Sequence, residues 1–143
     1  MNEEYKGRLI GYWLLTMLVV LSQGASGVMD LAGAQPLVDG VTALGYPVYI
    51  LKILGPFKIL GVIALAAPGF PRLKEWAYAG FTFDFIGAFA SHLLNGDGPG
   101  ELAPPLILLA ILVGSYLLRP ASRRLPGASE TAPAPAVEAP PAA

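Results

Sequence analysis

The chain has 143 residues, 55% of them hydrophobic and 13% charged, with a mean hydropathy of +0.59. Soluble domains carry about 25% charged residues, so this composition describes a membrane protein, and a net charge of −1 offers no field for nucleic acid or an acidic substrate. With no cysteine and one histidine, disulfides, thiol catalysis, iron–sulfur clusters, bis-histidine haem and thiolate or His-rich metal sites are excluded.

Residues 1–8 are short and polar and include Lys6 and Arg8. Residues 9–29 predict a first span of about 20 residues, enough to cross roughly 30 Å of hydrocarbon, with Tyr12 and Trp13 placed for an interfacial belt. The far end turns small and polar at 22–27, as signal-peptide cleavage regions do. The apolar stretch outruns a typical signal core, so the reading is a retained helix. Residues 30–45 read as a loop holding a short amphipathic helix, opened by Pro36 and carrying Leu37, Val41 and Leu44 at helical spacing. Asp30 and Asp39 read as solvated loop charges.

The second span, 48–67, follows Tyr46-Pro47, and Pro56 predicts a kink because it has no N–H and crowds the Lys52 carbonyl. Residues 68–72 form a stiff turn. The third span, 74–95, starts with Trp76 and Tyr78 at the interface; Tyr46, Tyr49, Trp13 and Tyr116 read as anchors of the same kind. An acidic Gly/Pro-rich loop holds Asp97 and Glu101, again as solvated charges. Pro104 and Pro105 open the fourth span, 103–118, extended by a snorkelling Arg119. Residues 119–143, rich in Pro and Ala, read as a disordered tail beyond a membrane domain at 1–118. The expected fold class is therefore all-α, an integral membrane four-helix bundle.

Nine Lys and Arg are present, and Lys52 and Lys58 fall inside the second span. The other seven flank the ends that share a side with both termini, which predicts a multi-pass protein of the cell membrane with both termini cytoplasmic. Charge at the bilayer centre costs about 2.5–3.5 kcal/mol per residue on insertion scales, so the two lysines need protein or water around them. Folding the second and third spans back on each other sets Lys58 level with Asp84. It sets Lys52 level with residue 90, within a turn of Ser91 and His92. Along the third span Gly80, Asp84, Gly87, Ala88, Ser91, His92 and Asn95 recur at three and four, a small and polar stripe facing inward.

Three readings of these groups stand together: a Lys58–Asp84 pair that fixes the helix pairing, a head-group site for a polar or quinone-like molecule, and a proton or ion path. The ligand-binding or proton-relay candidates are Lys58, Asp84, Lys52, His92 and Ser91. His92 serves as a proton-exchange group if Lys52 or Asp97 lies close. No nucleophile–base–acid arrangement, phosphate loop or metal-ligand spacing occurs, so neither a catalytic set nor a metal site is expected.

The ordered set Leu44-Gly45-Tyr46-Pro47, Lys58-x-x-Gly61, the run from Leu73 to Phe81, Phe83-Asp84, Gly87-Ala88, Ser91-His92 and Gly96-Asp97 resembles the DoxX-like family over about residues 9–118. That resemblance implies a small four-helix membrane protein; the family's namesake is a membrane subunit of a thiosulfate:quinone oxidoreductase, and other relatives accompany membrane redox complexes and oxidative-stress defence. It marks Lys58, Asp84, Ser91 and His92. The expectation is a non-catalytic membrane subunit or anchor of a quinone-linked redox complex, with no intrinsic cofactor beyond a bound quinone. Its partners are the lipid bilayer, a redox protein and further copies of the chain. The alternatives are a small proton-coupled permease and an assembly protein acting through its acidic loops or its tail.

Overall fold

The computed structural model describes residues 2–127. Among these residues the secondary structure is all helical: α1 (Glu3–Ala32), α2 (Gln35–Ala43), α3 (Ile50–Ala66), α4 (Pro71–Asn95) and α5 (Pro99–Leu118), then a single 3-10 turn, Ala121–Arg123. Helix ends follow local chemistry. The Asn2 side chain caps α1 by accepting the Tyr5 N–H, and Pro71 and Pro99 occupy first-turn positions where no N–H is needed. Gly33 and Gly96 end α1 and α4 with φ of 67° and 80°, conformations glycine adopts without a Cβ penalty.

Four long helices close into a ring, α1 against α3 and α5, and α4 against α3 and α5, while α2 touches α3 alone to any extent. Val19, Val62, Leu65, Ala77, Tyr78, Phe81, Phe85 and Leu112 form the core. The outer faces carry Ile10, Leu14, Leu18 and Leu21 on α1, Phe57, Leu60 and Ile63 on α3, and Ile107, Val113 and Leu117 on α5, all exposed. Water tolerates contiguous apolar surface only in small patches. α1 and α5 are each long and apolar enough to cross a membrane; α3, with 17 residues, is about 25 Å long at 1.5 Å per residue.

Several expectations change. α1 runs to Ala32, so Asp30 is not a loop charge but a helical residue only 1% exposed. α3 passes through Pro56 as one helix. The glycine before it marks a close crossing: a Cβ on Gly55 would lie 3.0 Å from the Gly27 carbonyl oxygen, and one on Gly27 would lie 3.1 Å from that of Gly55. α5 begins at Pro99, leaving Pro104 and Pro105 inside it rather than at its start.

Arg119 does not snorkel outward. It is 4% exposed, donates to Glu75 Oε1 at 2.6 Å and lies 3.8 Å from the Tyr116 ring centre. Beneath it, Ser115 Oγ shares hydrogen bonds with Thr16 at 2.8 Å and Tyr78 at 2.7 Å, tying α1, α4 and α5 through buried hydroxyls. Lys74, fully buried, donates to the carbonyls of Ala64 and Ala67. Arg123 donates to those of Leu65 and Ala66. Two cations thus satisfy the last carbonyls of α3, where the helix dipole favours positive charge. Residues 119–124 are therefore tied to the bundle, and the part of the expected tail at 128–143 lies outside the described residues.

Candidate functional site

The α4 stripe has a different use from the helix seam its small residues suggest. Nothing lies within 4 Å of a Cβ built on Gly80 or Gly87. Both line a cavity of about 920 Å³ between α2, α3 and α4, together with Asp84, Ala88, Ser91 and His92. Along α3 the walls run from Ile50 to Ala64, about 20 Å at the helical rise. Leu51, Leu54, Phe57, Leu60, Phe81 and Phe83 make them mostly apolar, and Pro36, Leu37 and Val41 of α2 cover one part.

Polar groups sit at two levels. At the inner level α1 supplies Asp30, α3 Lys58 and α4 Asp84, all on the cavity wall. Lys58 was expected to pair with Asp84. Instead its Nζ lies 2.9 Å from Asp30 Oδ2 and donates to Ser26 Oγ at 3.0 Å. The reason is the Gly27–Gly55 crossing, which brings the end of α1 onto the turn of α3 that carries Lys58. Asp84 lies in the fields of both Lys58 and Asp30 but makes no ion pair or side-chain hydrogen bond among the described residues. The cavity therefore presents an open carboxylate beside a buried ion pair.

At the second level, toward the ends of α1 and α4, the Tyr46 hydroxyl shares a 2.8 Å hydrogen bond with Ser91 Oγ, which also donates to the Gly87 carbonyl. Tyr46 is thus a strut between the start of α3 and α4 rather than only an interface anchor. His92 Nδ1 lies 2.6 Å from Asp97 Oδ2, so that nitrogen carries the proton it donates, and Asn95 donates to Oδ1. Lys52 stands apart from Ser91 and His92. It donates to the Leu31 carbonyl at the end of α1 and does not line the cavity. Of the five candidate residues, the structure gathers Lys58, Asp84, Ser91 and His92 on one wall system and leaves Lys52 as a helix-end cap.

Asp97 lies in the loop beyond α4, and the hydrogen bonds from His92, then Asn95, hold its carboxyl below the usual carboxylate range. A depressed carboxylate contributes stability that is complete above its unfolded value, about 3.9, and is lost as the pH falls through its folded value. Asp97→Asn is expected to lower the melting temperature above about pH 5, where that contribution is complete, and to converge with wild type as the pH falls, which flattens the acid limb of the profile. Melts between pH 6 and 2 check this; an unchanged acid limb would remove Asp97 as its source.

Two residues were missed as candidates, Asp30 and Tyr46. Asp30 has a signal in hindsight: it follows the first apolar run by one residue, with no helix-ending residue before Gly33. Among the described residues there is no group of three or more His, Cys, Asp or Glu arranged to hold a metal.

The model of the DoxX-like family matches residues 14–115. That match covers most of the chain, which belongs to the DoxX-like family. Family and apolar helices together point to a membrane protein. No curated protein and no solved structure matches the chain.

Proposed function

We propose that the chain is a four-span integral membrane protein, both termini cytoplasmic, whose cavity holds an amphipathic molecule of the quinone type and presents it to a membrane redox partner. The carrying observation is the cavity itself: long, apolar-walled, bordered by aromatic rings, with polar groups at two separated levels. Sites for small organic ligands have this build, mainly hydrophobic walls with a few placed polar groups, over about 300–1,000 Å³. A hydroxylated ring finds acceptors in Asp84, Ser91 Oγ and His92 Nε2, and a ring carbonyl finds a donor in the remaining N–H of Lys58. An isoprenoid chain finds only hydrocarbon along α3. The apolar outer faces of α1, α3 and α5 support the four-span placement. In this reading the chain's part is binding and orientation.

Protein extracted in mild detergent with its native lipids is expected to carry quinone at near one per chain. Gly87→Leu, which puts a side chain into open cavity space, is expected to lower that content about tenfold or more at unchanged helical content, the loss of roughly 1.4 kcal/mol or more of binding. Quinone-free wild-type protein, or equal quinone in Gly87→Leu, overturns the ligand. Asp84 at one level and His92 with Asp97 at the other also suit a proton-coupled permease. Proton-coupled flux in proteoliposomes that Asp84→Asn abolishes would replace the subunit reading with that one.

A further inference from the structure

A second cleft, about 370 Å³, opens at the opposite end of the bundle, where the first turns of α1 meet the last turn of α5. Asn2, Glu4, Tyr5 and Arg8 form one wall, Leu118, Arg119, Pro120, Ala121 and Arg124 the other. Three guanidinium groups therefore border one small space. Arg119 is already balanced by Glu75. Arg124 spends Nε on the Arg119 carbonyl at 2.7 Å and Nη2 on that of Leu117 at 3.3 Å, which holds the group in place and leaves Nη1 open. Arg8 is exposed and makes no hydrogen bond or ion pair among the described residues. Against Arg8 and Arg124 stands Glu4, while Glu3 is taken by Lys6 at 2.7 Å. Among the described residues one positive charge remains without a counter-charge.

We propose that this cleft binds the phosphodiester of an anionic phospholipid. The charge left over matches one phosphate, and guanidinium is the side chain best shaped to grip phosphate oxygens. Tyr5 and Leu9 on α1 and Leu118 on α5 adjoin the cleft and continue into the exposed apolar faces of those helices, so a headgroup held there keeps its acyl chains along the bundle. Basic pockets between helix ends at the cytoplasmic surface recognise anionic headgroups on these terms. The inference rests on the membrane placement proposed above, and is independent of what fills the larger cavity.

The test reconstitutes the full-length chain in vesicles of equal phosphatidylcholine and phosphatidylglycerol, re-extracts it in mild detergent and counts each lipid retained per chain by mass spectrometry. Wild type is expected to keep phosphatidylglycerol in preference. Arg8→Gln is expected to cut that preference about fivefold, and Arg8→Gln with Arg124→Gln further, the scale of one surface arginine against an anionic lipid. Arg72→Gln removes the same charge from the first turn of α4, outside the cleft, and is expected to leave the ratio unchanged. Equal retention of the two lipids, or an equal loss in Arg72→Gln, overturns the site. Displacement of the lipid by inorganic phosphate reassigns the cleft to a free anion. A preference seen only after deletion of residues 128–143 reassigns it to the chain's own acidic end. A chain that does not enter the bilayer fails the membrane placement instead.

Discussion

Lys58→Met is expected to cost the folded protein about 3–5 kcal/mol, the usual loss when one half of a buried ion pair is removed. Asp30 is 1% exposed, and Lys58 Nζ at 2.9 Å is the one cation against its Oδ2, an oxygen with no hydrogen-bond partner among the described residues. Removing the ammonium leaves a carboxylate enclosed at the α1–α3 crossing. Removing both charges relieves this: the double variant Asp30→Leu/Lys58→Met is expected to regain most of the loss. Asp84→Asn is expected to change stability far less, because Asp84 makes no ion pair or side-chain hydrogen bond among the described residues, so no partner is left uncompensated. Heat or denaturing-detergent unfolding of the four proteins decides it. A Lys58→Met protein as stable as wild type, or a double variant no better than the single, would remove the pair as a stabilising contact.

The apolar runs and the Pro and Gly punctuation made the helices legible in the sequence. Residues 48–67 and 74–95 differ from α3 and α4 by only a few positions, and Pro36 does open a short helix. The antiparallel register of α3 and α4 was legible as well, since it brought Lys58 and Asp84 to the same cavity wall. The partner of Lys58 was not. Register arithmetic relates consecutive helices, whereas Asp30 belongs to α1, and its approach depends on where two non-consecutive helices cross. That crossing is written in Gly27 and Gly55, but glycine beside proline reads first as a helix break.

The α4 stripe shows a second limit. Gly80, Gly87 and Ser91 at helical spacing suit a tight helix seam and an open cavity equally, because both need small side chains. Only the position of the neighbouring helix distinguishes them. The charges at the other end of the bundle show a related limit. Lys74, Arg119 and Arg123 flank apolar runs, so they read as topology signals. Yet Lys74 and Arg119 are buried against carbonyls and Glu75, and Arg123 reaches the last turn of α3. A flanking charge carries no sign of whether it turns outward to water or back onto a helix end.

Gly55→Val is expected to destabilise the protein by about 1–3 kcal/mol through overpacking, and Gly87→Val to stay within about 0.5 kcal/mol of wild type. Both replace a mid-helix glycine with the same side chain, so intrinsic helix propensity cancels from the comparison, and Gly55 carries in addition the restriction that Pro56 places on a Cβ in the residue before it. At Gly55 the first added carbon meets Leu31 Cγ at 2.8 Å and the Gly27 carbonyl oxygen at 3.0 Å. Leu31 can rotate; the carbonyl cannot without moving α1. Any such movement also draws Asp30 away from Lys58, three residues beyond Gly55, so the loss is expected to be smaller in the Asp30→Leu/Lys58→Met background. At Gly87 the added carbons enter open cavity and meet nothing within 4 Å of the first. Unfolding in mild detergent measures both. Equal stability of the two variants would mean that α1 and α3 do not meet at their glycines, and then Asp30 has no route to Lys58.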